Sequence, residues 1–438
     1  VNADEAYFQE AERRGQAAKA QADPAAVKIR AAICLACPHI ITAPAKCRGC
    51  GASKCSIDGT PIRERILSSG CPRGRFSGPS FTTLDFNLSD RCNLACPGCY
   101  ARENYGAGPD MDRTRATIRW FVEQSRGVET KVRRVNIYGG EPLLEWDDLR
   151  EAVEWTAQAW PEFDFGFVVV TNVTLLTPDK IEWLTDHKVR VSCSIDGNPE
   201  AEMLSRHAGA EVFENARALI AKQPASCRMT VTPATAPFVA DSVAYLCEEI
   251  GFHTVNAIVA DGVHWSVEDI WAFKHQITKL TDWWIARRRA GKNCGLYHIR
   301  NMIDRLQAGQ RRRSVCGAGT SRVAVDTQGN LWPCHRFCNL RSDPAYKLGT
   351  LAAGFWNVPL FDRLRNYDLA FENRERCATC PAVLGCHHFC LWTNMIEKTG
   401  RLLGPMSYTC AIWPHYWREA MRAYAILTAE KLWKVKRK

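Results

Sequence analysis

A chain of 438 residues with 46% hydrophobic content is ordinary for a globular protein and long enough for about three domains of average size. No run of roughly 18 apolar residues occurs, which excludes a membrane-spanning helix, and the polar start VNADEAYFQEAERRGQ lacks a signal core, so a cytoplasmic protein is expected. A net charge of +10 fits an acidic partner, nucleic acid or nothing specific; the tail KLWKVKRK supplies part of it and reads as a solvated end or a guide for an acidic peptide.

In chain order, residues 1–80 form a cysteine-rich module that opens on a helical pattern and continues through CLACP, KCRGCGASKC and GCPRGRF. From Phe81 the texture alternates. FTTLDFNL reads as a strand, RTRATIRWFVEQSRG as a helix ending at Gly127, and KVRRVNIYGGEP as a strand running into a glycine turn. WDDLREAVEWTAQAW is a helix and FDFGFVVVTN a strand. TPDKIEWLTDH is a short helix with Thr177 as its cap and Pro178 in its first turn. VRVSCSIDG (strand), AEVFENARALIAKQ (helix), SCRMTVTP (strand), VADSVAYLCEEIG (helix) and FHTVNAIVA (strand) follow, then a long helix around 267–290. Six apolar strands alternating with helices predict an α/β fold whose parallel strands curve into a sheet or partial barrel over 81–305, with the chemistry at the C-terminal strand ends. Beyond about residue 305 alternation fades and glycine, proline and cysteine dominate.

The 21 cysteines are too many for an intracellular chain without a use, and they cluster: six before residue 72, three at 92–99, three at 316–338 and five at 377–410. Of the other four, Cys193, Cys227 and Cys247 sit in apolar surroundings and read as buried free thiols; the fourth is Cys294. A reducing compartment with soft-ligand metal sites explains the clusters better than disulfides do. Cys92, Cys96 and Cys99 in SDRCNLACPGCY are spaced C-x3-C-x2-C, one thiol short of a structural zinc site.

CNLACPGCY after a first strand resembles the signature loop of the radical S-adenosylmethionine enzymes. The resemblance implies a 4Fe–4S cluster on Cys92, Cys96 and Cys99, with S-adenosylmethionine chelating the fourth iron. One-electron reduction would then yield a 5'-deoxyadenosyl radical that takes a substrate hydrogen. It also implies that Glu141 in YGGEP, with Gly139 and Gly140 beside it, meets the methionyl amine. Ser194 and Asp196 in SIDG would reach ribose hydroxyls, Asp196 alternatively facing substrate as a catalytic group. Arg206 would take the methionyl carboxylate and Tyr100 would lie against adenine, while Asn172, a polar strand end facing the same mouth, would touch the cofactor or merely close a turn.

Further on, Cys316, Gly329 and Cys334, then Cys377, Cys380, Cys386 and Cys390, then Cys410, match in order and spacing the SPASM extension of one branch of that family. Residues 306–438, ending in a helix, are therefore expected to carry two auxiliary 4Fe–4S clusters. By family correspondence the outer one takes Cys377, Cys380, Cys386 and Cys410, and the inner one Cys316, Cys334 and Cys390. Arg311 stands where some relatives place a fourth inner ligand, leaving Cys294, Cys338 or an open iron. PCHRF resembles a subset that includes thioether-forming peptide maturases, and His335 is expected to act as a proton acceptor or as a hydrogen-bond donor to the cluster. The acidic residue that the sulfatase-maturing branch favours after this cysteine is missing.

Within 1–80, Cys34, Cys37, Cys47 and Cys50, or a permutation with Cys55 and Cys71, fit zinc or a further iron–sulfur cluster. No winged-helix pattern for leader-peptide binding is present there. The expected activity is oxidative modification of a ribosomally made peptide or protein side chain, by thioether or carbon–carbon crosslinking, with a flavodoxin- or ferredoxin-like electron donor. The rivals are a formylglycine-forming dehydrogenase and a non-catalytic metal-cluster protein binding nucleic acid. The last has only the positive charge in its favour, and Lys and Arg are spread among acids.

Overall fold

The computed structural model describes residues 40–41, 54–55 and 81–433, the last span without 102–105, 127, 129, 293–294, 309–315, 340–341, 356, 358–359, 362–363, 365–378, 384–385, 387–389 and 397–406. Strands β1 (Ile40–Ile41) and β2 (Lys54–Cys55) pair antiparallel, with Ile40 opposite Cys55. Cys34, Cys37, Cys47, Cys50 and Cys71 lie outside the described residues, as do Cys294 and Cys377.

From residue 81 every predicted strand and helix is present. Strand β3 (Thr83–Asn87) leads to helix α1 (Met111–Ser125), which begins two residues before the predicted Arg113 because the Asp110 side chain accepts from Arg113 N at 3.0 Å and caps it. Then come β4 (Val132–Tyr138), α2 (Trp146–Ala159), β5 (Asp164–Thr171), α3 (Pro178–Asp186) and β6 (Arg190–Cys193). A helix that was not predicted, α4 (Pro199–Ser205), follows, capped by Asn198. The series continues with α5 (Glu211–Lys222), β7 (Ser226–Val231), α6 (Val239–Tyr245), β8 (Thr254–Val259) and α7 (Val267–Arg289). Ser266 and Asp269 form a reciprocal capping box at the start of α7.

Two parallel strands go beyond the predicted six. Strand β9 (Gly295–Leu296), followed by α8 (Tyr297–Ala308), joins the far edge of the sheet beside β8. Strand β10 (Arg322–Val325) joins the near edge beside β3, Val323 opposite Leu84 and Val325 opposite Phe86. Strand β9 is too short for a periodicity signal, and β10 lies beyond the alternating stretch, among glycines and cysteines. From β10 the chain turns into an antiparallel meander of β11 (Asn330–Trp332), β12 (Gly349–Thr350) and β13 (Gly354–Phe355), so one eleven-stranded sheet runs from the C-terminal part through the core. The sheet has two free edges.

Leu84, Val135, Ile137, Val169, Val191, Met229 and Val231 are buried from the strands, against Ile118, Phe121, Leu149, Leu184, Leu219 and Val243 from the helices. Two further helices, α9 (Leu391–Ile396) and α10 (Ser407–Ala429), close the chain. Helix α10 packs on α7 and α8 through Phe273–Tyr416 and His298–Trp413 ring contacts at 6.1 and 5.1 Å. Among the described residues no helix is long and apolar enough to cross a membrane. Cys193 and Cys227 are buried free thiols as expected, but Cys247 is disulfide-bonded. It sits on the π turn that follows helix α6, buried within the core cluster.

Candidate functional site

The C-terminal ends of the parallel strands open into one cavity. The loop after β3 brings Cys92, Cys96 and Cys99 to it, and the turn after β4 brings Tyr138, Gly139, Gly140 and Glu141. Asn172 enters after β5, and Ser194 and Asp196 after β6. Arg206 follows α4, Asp261 follows β8, and His335 and Arg336 follow β11. Tyr100 lines the same cavity. Every residue expected for the radical cluster and S-adenosylmethionine, from loops more than a hundred residues apart, thus faces one space.

The glycine pair is what lets the cysteine loop lie on the β4 turn. Gly140 N donates to Ser89 O at 3.0 Å and Glu141 N to Arg91 O at 2.8 Å. A Cβ on Gly140 would overlap the Arg91 carbonyl oxygen and sit 2.8 Å from Cys92 Cβ, so no other residue fits. Arg91 grips Glu145 with Nε–Oε1 at 2.7 Å, and Ser89 Oγ donates to the same Oε1 at 2.8 Å, tying the loop to the turn before α2. Ser89, Arg91 and Glu145 were not singled out from the sequence. The residues around Glu145 carry no signal that would pair it with Arg91, and only the fold brings positions 91 and 145 together.

Glu141 is buried, and burial pushes its pKa up against the donors that hold it. Its Oε1 accepts from Thr171 Oγ1 at 2.7 Å and Leu143 N at 3.0 Å, and its Oε2 from Asn172 N at 2.7 Å. Asn172 in turn donates from Nδ2 to Asn93 Oδ1 at 3.0 Å, inside the cysteine loop. The carboxylate therefore fastens β4 to β5 and keeps one lone pair of Oε2 for a further donor. Asp196, also buried, binds Arg206 (Nε–Oδ2 2.9 Å, Nη2–Oδ1 3.1 Å) and accepts from Thr230 N at 2.6 Å. Burial opposes the Arg206 charge, but Asp196 and Glu202 hold its pKa above the ordinary value. Glu202 itself, desolvated beside Asp196, is raised to about 7.

Burial raises the Cys92 thiol, and takes Cys96 to about 11 with Arg206 pulling the other way. The donor set, three soft sulfurs from one short loop lining one cavity, fits an iron–sulfur group, whose binding would displace the thiol protons. Among the described residues no three His, Cys, Asp or Glu side chains converge on a single metal point.

From the C-terminal part, His335 Nδ1 lies 3.2 Å from Asp85 Oδ2, and its ring stacks on Tyr138 at 4.2 Å and 10°. Burial lowers its pKa to about 4, outweighing Asp85. Burial opposes the Asp85 charge as well, but Arg322 (3.3 Å) and His335 hold its carboxyl below the usual range. Arg336 pairs with Asp261 at 2.5 Å and lies over the rings of Tyr100 and Trp392, while Tyr408 donates to the other Asp261 oxygen at 2.7 Å. Tyr100 is thus packed toward the C-terminal part, 5.9 Å from the His335 ring. Cys334 is raised by burial, with Cys316 and Cys390 the thiols bearing most on it. Cys338 is buried in the apolar cluster of Trp332, Phe337 and Trp392, against which Cys334 and Cys390 pack. Cys380 and Cys386 pack at the margin of the main core, and Cys410 lies on α10.

A parallel α/β sheet whose strand ends hold three thiols, a carboxylate and an arginine around one cavity defines a cofactor-dependent enzyme core. Residues 86–234 match the Radical SAM superfamily. The match spans about a third of the chain and coincides with the parallel strands from β3 to β7, so this part is a radical SAM core, and the chain carries further C-terminal structure beyond it. Native anSMEcpe with bound AdoMet is similar in fold at TM-score 0.65 and 18% identity, over 80% of this chain and 99% of that one. Streptococcus suis SuiB bound to precursor peptide SuiA is similar at TM-score 0.51 and 16% identity, over 76% and 78%. An uncharacterized protein of Archaeoglobus fulgidus is 24% identical over 73% of this chain and 76% of its own length. Molybdenum cofactor biosynthesis protein 1 of Drosophila melanogaster is 30% identical over 28% of this chain and 21% of its own.

Proposed function

We propose that this protein oxidatively modifies a side chain of a ribosomally made peptide or protein, forming a thioether or carbon–carbon crosslink. The observation that carries the reading is the single cavity lined by the cysteine loop and Glu141 from the core and by His335 and Arg336 from the C-terminal part. The similarity to anSMEcpe with AdoMet and a bound Cp18Cys peptide, and to SuiB with its precursor peptide, supports a peptide in that space.

In this reading Cys92, Cys96 and Cys99 hold the radical cluster in a partial (β/α)6 barrel spanning 81–305. When bound, cluster and S-adenosylmethionine supply one-electron cleavage of the sulfonium and a hydrogen-abstracting radical. The chain's own residues orient and insulate. Glu141 offers its remaining lone pair to the methionyl ammonium, and Ser194 and Asn172 face the nucleoside. Arg206 is held by Asp196 toward the carboxylate, which makes Asp196 a positioning residue. Tyr100 lies between the cysteine loop and the C-terminal part. Residues 306–438 carry the auxiliary clusters, the outer on Cys377, Cys380, Cys386 and Cys410 and the inner on Cys316, Cys334 and Cys390. The module over 1–80 takes zinc or a further cluster. His335, fixed by Asp85 and Tyr138, stands beside Cys334 as the group to receive a substrate proton. A flavodoxin- or ferredoxin-like protein supplies the electron.

Anaerobically reconstituted protein, reduced with S-adenosylmethionine, should release 5'-deoxyadenosine. Changing Cys92, Cys96 and Cys99 to alanine should abolish release while leaving most of the other iron. Equal release from that variant rejects the reading.

A further inference from the structure

Strand β7 breaks the pattern of a parallel strand buried on both faces. Cys227, Met229 and Val231 point into the core, almost fully buried. On the other face, at period two, Arg228 and Thr230, with Thr232 just beyond the strand, line the cavity. A guanidinium projecting from the middle of such a sheet is costly unless something answers its charge.

The other charges of the cavity are all answered within the protein. Three arginines line it: Arg206 is bound by Asp196, and Arg336 by Asp261. Its three carboxylates are Glu141, held by two backbone N–H groups and Thr171, Asp196, and Asp261. Arg228 alone has no carboxylate within ion-pair distance among the described residues. The groups bearing most on it are Tyr138, Arg336, Tyr100 and Arg322, of which two are like charges. The tyrosines do not neutralise it, because burial keeps both protonated, Tyr138 up to about 12. Arg228 keeps a path to solvent through the cavity, yet burial lowers its pKa. Arg336 and Arg322 belong to the C-terminal part, while Tyr138 ends β4 and Tyr100 follows Cys99, so Arg228 sits where the two parts meet.

We propose that Arg228 is the docking point for a carboxylate of the substrate, held between the cysteine loop and His335. This rests on the peptide reading above. In an unmodified peptide the anionic groups are the Asp and Glu side chains and the chain terminus, so carboxylate is the ligand chemistry that fits. A fork of guanidinium donors binds a carboxylate in two places and fixes its orientation, with the Tyr100 and Tyr138 hydroxyls beside it.

The test uses full-length reconstituted protein loaded with S-adenosylmethionine and three probes in saturation-transfer NMR titrations. N-acetylglutamic acid α-amide presents a side-chain carboxylate, N-acetylglycine a terminal one, and N-acetylglycinamide none. The wild type should bind one or both carboxylates and ignore the amide. R228Q should lose roughly tenfold to a hundredfold in affinity for the carboxylate, the scale of a charged hydrogen bond. R228K, which keeps the charge but not the fork, should recover part of it. Which probe responds tells side chain from terminus. Three results overturn the proposal: no preference of the wild type for carboxylate over amide; equal carboxylate affinity in R228Q or R228K and wild type with native near-UV dichroism; or a fall in S-adenosylmethionine affinity with probe binding intact, which would give Arg228 to the cofactor. Release of 5'-deoxyadenosine by the wild type is measured separately, so failure of the enzymatic reading is seen independently of the probes.

Discussion

Gly140→Ala tests whether the cysteine loop is held in place by its fit to the β4 turn. The added methyl collides with the Arg91 carbonyl oxygen and with Cys92 Cβ, both parts of that loop's backbone or first carbon, so no flexible side chain can yield. Relief requires the loop to lift, which breaks Gly140 N–Ser89 O and Glu141 N–Arg91 O. Overpacking costs about 1–3 kcal/mol and each of the two lost backbone hydrogen bonds about 0.5–1.5, so the seated loop is disfavoured by about 2–6 kcal/mol. At 1.4 kcal/mol per decade that is a shift of roughly thirtyfold or more in loop position. Gly98→Ala is the control, since in the same loop its Cβ meets only Thr232 Cγ2 at 4.0 Å. Iron bound after anaerobic reconstitution and 5'-deoxyadenosine release should both fall sharply in G140A and hold in G98A. Wild-type values in G140A, or equal losses in both, would refute the packing argument.

Asp196→Asn should weaken S-adenosylmethionine binding by roughly tenfold or more, because Arg206 loses the carboxylate that aims it; unchanged binding by equilibrium dialysis would show that Arg206 needs no such support. His335→Gln should lower product yield more than 5'-deoxyadenosine yield at unchanged iron content, and a parallel fall in both would argue against proton acceptance. His298 is buried with Nε2 2.9 Å from Ala257 O, and burial lowers its pKa to about 4 from 6.5. Its unfolded form binds the proton first, so stability is complete above pH 6.5 and is lost as pH falls toward 4, by about 3 kcal/mol. Denaturant titrations at pH 7 and pH 4.5 should show a smaller drop in H298Q than in the wild type; equal drops would exclude His298 as a cause.

The alternating core was legible because buried strands of four to eight residues and amphipathic helices each announce their period, whereas the caps Asp110 and Ser266 were not read from the sequence. Cysteine spacing and GGEP located one end of the cavity. Two strands escaped: β9 has only two residues, and β10 lies beyond the alternating stretch, among glycines and cysteines. The ties that seat the cysteine loop, Arg91 to Glu145 and Asn172 to Asn93, join positions far apart in sequence and leave no local pattern. Arg228 did leave one, since RMTVT alternates where a buried parallel strand should be apolar throughout. Reading it requires knowing which face of that strand meets the cavity.

Strand β10 explains how the two parts that line the cavity keep their distance. It pairs with β3 over four residues, so the segment carrying His335 and Arg336 is bonded to the strand that leads into the cysteine loop. Side chains reinforce the seam. Asp85 on β3 is buried and bound by Arg322 on β10, by His335 beyond β11 and by Asn136 on β4. Thr327 in the β10–β11 turn donates to Asp90 at 2.5 Å, and Arg113 reaches the Thr327 and Leu88 carbonyls at 2.7 and 3.1 Å. An appended unit on a linker would move relative to the core, and any substrate group clamped between His335 and the cysteine loop would move with it. A continued sheet cannot do this without breaking ladder hydrogen bonds around a buried charge, which is expensive. In the proposed reading, the pairing would therefore set the geometry between the cysteine loop and a substrate held near His335, and orientation of that kind is where an enzyme core has much to contribute.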